Sequence, residues 1–117
     1  MINRIKNILD DLIGVENPDD LMLAIMEALG DTVDQVALPG NFYTFIYLPK
    51  TPNIQYDEHP LVACTAVYNW GFDAINYHWE QSRRYTFDEV AGNLYELNQA
   101  EKETLRTIPY QKFRLNI

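Results

Sequence analysis

The sequence predicts an α+β domain, an N-terminal helical hairpin packed on a small antiparallel β-sheet or partly open β-barrel. Three observations carry that prediction. Apolar residues recur at three- and four-residue spacing up to Gly30; the period changes to aromatic and β-branched residues after Pro39-Gly40; and two strand-like runs flank the turn Asn69-Trp70-Gly71. The chain has 117 residues, of which 47% are hydrophobic and 13% aromatic, which is enough for one core. It is read as a single domain over 1–117, with a helical arm over 1–38 and a β-rich body over 39–117.

Ile2, Ile5, Ile8, Leu9, Leu12 and Ile13 share one face of an amphipathic helix over Ile2 to Ile13, and Gly14 breaks it. Asn17-Pro18-Asp19-Asp20 then supplies an N-cap, a proline at the first helical position and two acids at the positive end of the dipole. A second helix is expected over Pro18 to Leu29. Its run LMLAIMEAL is apolar nearly all round, with Leu21, Met22, Ile25, Met26 and Leu29 densest, so cover is expected on more than one side.

Asn41 to Leu48, NFYTFIYL, reads as a strand that Pro49 and Pro52 end. Alternation sends Tyr43, Phe45 and Tyr47 one way and Phe42, Ile46 and Leu48 the other. Leu61 to Tyr68 and Phe72 to Trp79 are expected as a hairpin, with Ile75, Tyr77 and Trp79 facing inward and Ala74, Asn76 and His78 opposite. Thr86-Phe87-Asp88-Glu89 has the form of a capping box opening a short helix that Gly92 interrupts. Leu94 to Leu97 extends as a strand, and Asn98 caps a last helix through Ala100 to Arg106. Pro109 ends that helix, and KFRLNI alternates as a closing edge strand.

Nine Lys plus Arg against seventeen Asp plus Glu give a net charge of −8, which disfavours binding to nucleic acid. Residues 1–60 hold ten acids and three basic residues, and 61–117 seven acids and six, so the excess lies in the first half. Cys64 is the single cysteine and excludes an intrachain disulfide; its neighbours LVACTAV mark it as a small buried hydrophobe. The N-terminus has no unbroken apolar region of the signal-peptide kind, and no run reaches the roughly 18 residues of a membrane span. Manufacture in the cytoplasm is expected, with no membrane partner.

Candidate chemistry is sparse. Asn76 and His78 on one strand face, with a carboxylate such as Asp73 or Glu80, would be minimal equipment for acid–base work, yet the sequence ties no nucleophile to them. In YDEHP, Asp57, Glu58 and His59 are adjacent, and adjacent residues of extended chain point to opposite sides. The segment therefore reads as a turn in which Asp57 caps local backbone and Pro60 starts the next strand. No catalytic, cofactor-binding or metal-binding residue is assigned, and no cofactor is expected. Trp79, Arg83, Arg84 and Tyr85 combine aromatic surface with arginine forks where the chain is expected to turn between strand and capping box, a pattern suited to contact with a neighbouring subunit.

The run FYTFIYLPKTPNIQYDEHPLV, followed by WGFDAINYHW, RRYTFDEV and IPYQKFRLN, resembles small proteins of contractile-tailed phages of cyanobacteria. Residues that carry it are Lys50, Thr51, Pro52, Tyr56, Asp57, Pro60, Leu61, Val62, Gly71, Phe72, Ile75, Asn76, His78 and Trp79, within a stretch over 42–116. The resemblance implies a non-enzymatic virion structural protein, a tail or baseplate component partnered by other phage structural proteins or copies of itself. An acidic, host-directed phage protein that inhibits a host enzyme or mimics its ligand is the alternative, supported by the charge of the first half. A small hydrolase built around His78 ranks last.

Overall fold

The computed structural model describes residues 2–50, 56–109 and 112–113. A 3-10 turn, Lys6–Ile8, leads into α1 (Leu9–Gly14), so the helix expected from Ile2 is shorter than its apolar spacing suggests. Tertiary contacts hold the first residues out of it. Asn3 donates to the Ala100 carbonyl at 3.2 Å and to Thr104 Oγ1 at 2.8 Å, and its own Oδ1 accepts from Lys6 N at 2.9 Å. Of the predicted stripe, Ile5 and Leu12 are buried whereas Ile2 and Ile13 are exposed.

α2 (Pro18–Leu29) begins as expected: Asn17 Oδ1 accepts from Asp19 N at 2.8 Å, and Pro18 occupies the first turn. Leu21, Met22, Ile25 and Leu29 face the sheet, but Leu23 is exposed. The helix is covered on one side, not several as the apolar run suggested. α3 (Gln99–Arg106) opens on a reciprocal capping box, with Glu101 N donating to Asn98 Oδ1 at 2.9 Å and Asn98 N to Glu101 Oε1 at 3.0 Å.

Six antiparallel strands form one open sheet: β1 (Val33–Asp34), β2 (Phe42–Tyr47), β3 (Leu61–Val67), β4 (Gly71–Asn76), β5 (Gln81–Thr86) and β6 (Val90–Leu97), in the order β1-β6-β2-β3-β4-β5. The sheet curls strongly. In a flat sheet, strands three apart lie roughly 14 Å from each other, yet the Tyr85 ring of β5 meets Phe45 and Tyr47 of β2 at 5.3 Å between centroids. Bulges between Thr44 and Ile46 and between Cys64 and Ala66 sharpen the bend. The result is an α+β half-barrel with an aromatic interior.

Two cores follow from the alternation in β2. Tyr43, Phe45 and Tyr47 join Val62, Cys64, Phe72, Ala74, Tyr85 and Leu94 on the concave side. Phe42 and Ile46 join Leu61, Tyr95 and Leu97 on the convex side, where α1, α2 and α3 supply Leu12, Leu21, Ile25, Leu29 and Leu105. The helices thus cover the β6, β2 and β3 part of one face of their own sheet, and Ile75 of β4 stays exposed.

Five expectations are corrected. β4 ends at Asn76, and Tyr77 to Glu80 form a turn in which Glu80 has φ 55, a left-handed conformation. Inward positions of β4 are Phe72, Ala74 and Asn76, and Ile75 is exposed, the reverse of the predicted facing. Arg83 and Arg84 lie in β5, an edge strand, rather than on a turn. Thr86 to Glu89 make a 3-10 turn (Phe87–Glu89) with a side-chain bond from Thr86 Oγ1 to Glu89 Oε1 at 2.7 Å and no bond from the Thr86 side chain to backbone. Gly92, expected to interrupt a helix, sits inside β6 at φ 86. Of the KFRLNI edge strand, Lys112 and Phe113 are described in a turn, and 114–117 lie outside the described residues. No described helix is long and apolar enough to cross a membrane.

Candidate functional site

The interior of the half-barrel ends in a buried polar cluster centred on Asp57. Its Oδ2 accepts from Asn76 Nδ2 at 3.0 Å and lies 3.1 Å from His78 Nδ1; its Oδ1 accepts from Trp79 Nε1 at 3.0 Å. Asn76 uses its whole inventory: the other Nδ2 hydrogen goes to the Tyr85 hydroxyl at 2.9 Å, and Oδ1 accepts from His78 N at 2.9 Å and Trp79 N at 3.1 Å. It therefore caps the β4–β5 turn and ties it to the barrel floor. Burial, the largest influence, pushes the Tyr85 phenol far above its ordinary pKa, so it stays protonated.

Asp57 does not cap local backbone as the sequence suggested, and the carboxylate that meets His78 is neither Asp73 nor Glu80. A buried aspartate against Nδ1 is the orientation that general-base histidines use. Here the ring is sealed, with its side chain 5% exposed and its plane against Phe113 at 4.4 Å between centroids. The cluster has the geometry of a latch.

Glu58 and His59 point away from Asp57 and meet Asp19 of the α2 N-terminus. One ligand-type atom from each of Asp19, Glu58 and His59 lies within 4.8 Å of the others. The backbone beneath them is pinned on two sides, with Tyr47 N donating to the Glu58 carbonyl at 2.9 Å and Glu58 N to the Phe113 carbonyl at 2.6 Å. Partial burial, then the adjoining Asp19 carboxylate, push the Glu58 carboxyl up to about 7. Burial pushes the His59 imidazole down to about 4, against the opposing pull of Asp19 and of the Pro18 and Phe45 carbonyls. At neutral pH the ring is uncharged.

A third group lies at the sheet edge. Neighbours on β5 face opposite sides. Arg83 sits 4.6 Å over the Trp79 ring, whereas Arg84 pairs with its cross-strand partner Asp73 at 3.5 Å and lies 5.0 Å over Trp70. Trp70 in turn stacks on Tyr68 with centroids 5.1 Å apart and planes 5° from parallel. Of the four residues expected to meet a neighbour, Arg84 is exposed and Trp79 and Arg83 are half-buried. Tyr85 is 2% exposed within the concave core and cannot contribute surface, which corrects its assignment. Tyr68 and Trp70, both exposed, were missed; their placement beside Arg84 follows from the β3–β4 turn. Compared with known protein families, with curated proteins and with solved structures, the chain matches none.

Proposed function

We propose that the chain is a non-enzymatic phage virion protein, a tail or baseplate component that works through subunit–subunit contact at the β4–β5 edge. The observation that carries this reading is the exposed stack of Tyr68 and Trp70 in the β3–β4 turn, roofed by Arg84 of β5, the strand with which the sheet ends. Aromatic residues and arginine are the types enriched at protein interfaces. An edge strand also leaves one row of backbone donors and acceptors outside the sheet, where a partner strand can pair. The resemblance of the 42–116 stretch to proteins of contractile-tailed cyanobacterial phages supplies the kind of assembly. Other structural proteins of the particle, or copies of this chain, are the partners this reading implies, and the virion is its location.

Quantitative mass spectrometry of purified phage particles tests the proposal. A fixed copy number per particle, retained through gradient purification, is the expected result. Absence from particles together with abundance in the infected-cell lysate overturns it in favour of a host-directed role.

A further inference from the structure

We infer that Asp19, Glu58 and His59 form a binding site for one divalent transition-metal ion, zinc being the best match to the donor set. An imidazole and two carboxylates, with water completing the shell, are ligands that such ions take. The sequence expectation of no metal rested on the divergence of adjacent residues, and Asp57 does diverge. The third donor comes instead from α2, distant in sequence.

The anchor is His59. The residue is 1% exposed, and although the Pro18 and Phe45 carbonyls act on the ring, neither ring nitrogen makes a hydrogen bond of good geometry to any described group. Buried polar atoms without partners are rare, because their desolvation is not offset. Its Nε2 lies 3.9 Å from Asp19 Oδ1, so the ring is aimed at the carboxylate pair. Those carboxylates lie side by side, and among the described residues no Lys or Arg forms an ion pair with Asp19 or Glu58. A cation between them would relieve their repulsion and satisfy the imidazole at the same time. Ligand atoms of a tetrahedral zinc shell stand roughly 3.4 Å apart, which follows from bond lengths near 2.1 Å. From the 4.8 Å limit observed, the contraction falls on Asp19, whose side chain is 75% exposed and free to rotate. Glu58 is held by its backbone bonds to Tyr47 and Phe113, and His59 by its burial.

The test is calorimetric titration of the full chain, stripped with a chelator, with Zn2+, paralleled by the absorption spectrum of Co2+. The expected result is saturation at one ion per chain, a melting temperature raised by the metal, and cobalt bands of four- or five-coordinate intensity. Asp19→Asn combined with Glu58→Gln should leave the metal-free melting temperature near that of the parent and weaken zinc binding by at least about tenfold. His78→Gln, which alters the other histidine, should bind as the parent does. No saturable binding overturns the inference, as does undiminished binding by the folded double variant or loss of binding in folded His78→Gln.

Discussion

Arg4 and Glu101 hold the two ends of the described chain together. Glu101 is fully buried and accepts from Arg4 Nε at 2.7 Å, from Arg4 Nη2 at 2.9 Å and from Arg4 N at 2.8 Å, a two-point fork with a backbone bond added. Burial alone would raise the Glu101 pKa; the Arg4 and Asn98 bonds outweigh it and hold the carboxyl below the ordinary range. A depressed folded pKa gives stability that is present above the unfolded value and lost as pH falls through the folded one. Glu101→Gln is therefore expected to cost about 2 kcal/mol at neutral pH. The deficit should shrink as pH falls below the ordinary glutamate range, which urea denaturation across pH will read. The Asp57 latch behaves differently. Asp57→Ala removes the buried carboxylate that accepts from Asn76 Nδ2 and Trp79 Nε1, and a loss of about 2–4 kcal/mol is expected in the same measurement. Asp57→Asn, which keeps an acceptor oxygen, should cost less.

Among elements, β5 depends on close approach to β4. Gly71 pairs with Thr86, and a Cβ at Gly71 would meet the Tyr85 carbonyl of β5, which is backbone and cannot swing aside. Gly71→Ala should loosen β5 selectively, and hydrogen exchange should show faster exchange across Gln81–Thr86 with α2 little changed. Legibility in the sequence followed the range of the interactions. Pro18–Leu29 was legible because cap, proline and apolar stripe are all local, and the facing of β2 was legible because both its sides are buried. β4 was misjudged because Ile75, Tyr77 and Trp79 look like an inward row, whereas the curl places Phe72 and Ala74 inside and ends the strand at Asn76. β5 was missed because QSRRYT has only Tyr85 to offer the core. The site residues left still less trace, since Asp57 meets Asn76, and Asp19 meets His59, only after the sheet has curled and α2 has docked.

At the scale of the whole molecule, the helices pack on the β3 and β6 part of the convex face and aromatic rings fill the concave one, while at the β4–β5 edge Tyr68, Trp70 and Arg84 stay exposed. Charge fits that arrangement. Arg83 and Arg84 are two of the nine basic residues in a chain of net charge −8, and both stand on this edge strand, one on each of its faces, where the proposed partner would meet them. The reversal Arg83→Glu with Arg84→Glu removes both forks from the rings of Trp79 and Trp70. Lys50→Glu is the control, since Lys50 is exposed and paired with Asp88 away from the edge. Incorporation of the double variant into phage particles, with its fold checked by circular dichroism and melting, tests the proposed interface most directly. A folded double variant missing from particles, with Lys50→Glu incorporated normally, is the predicted result, and normal incorporation of the folded double variant would contradict the account.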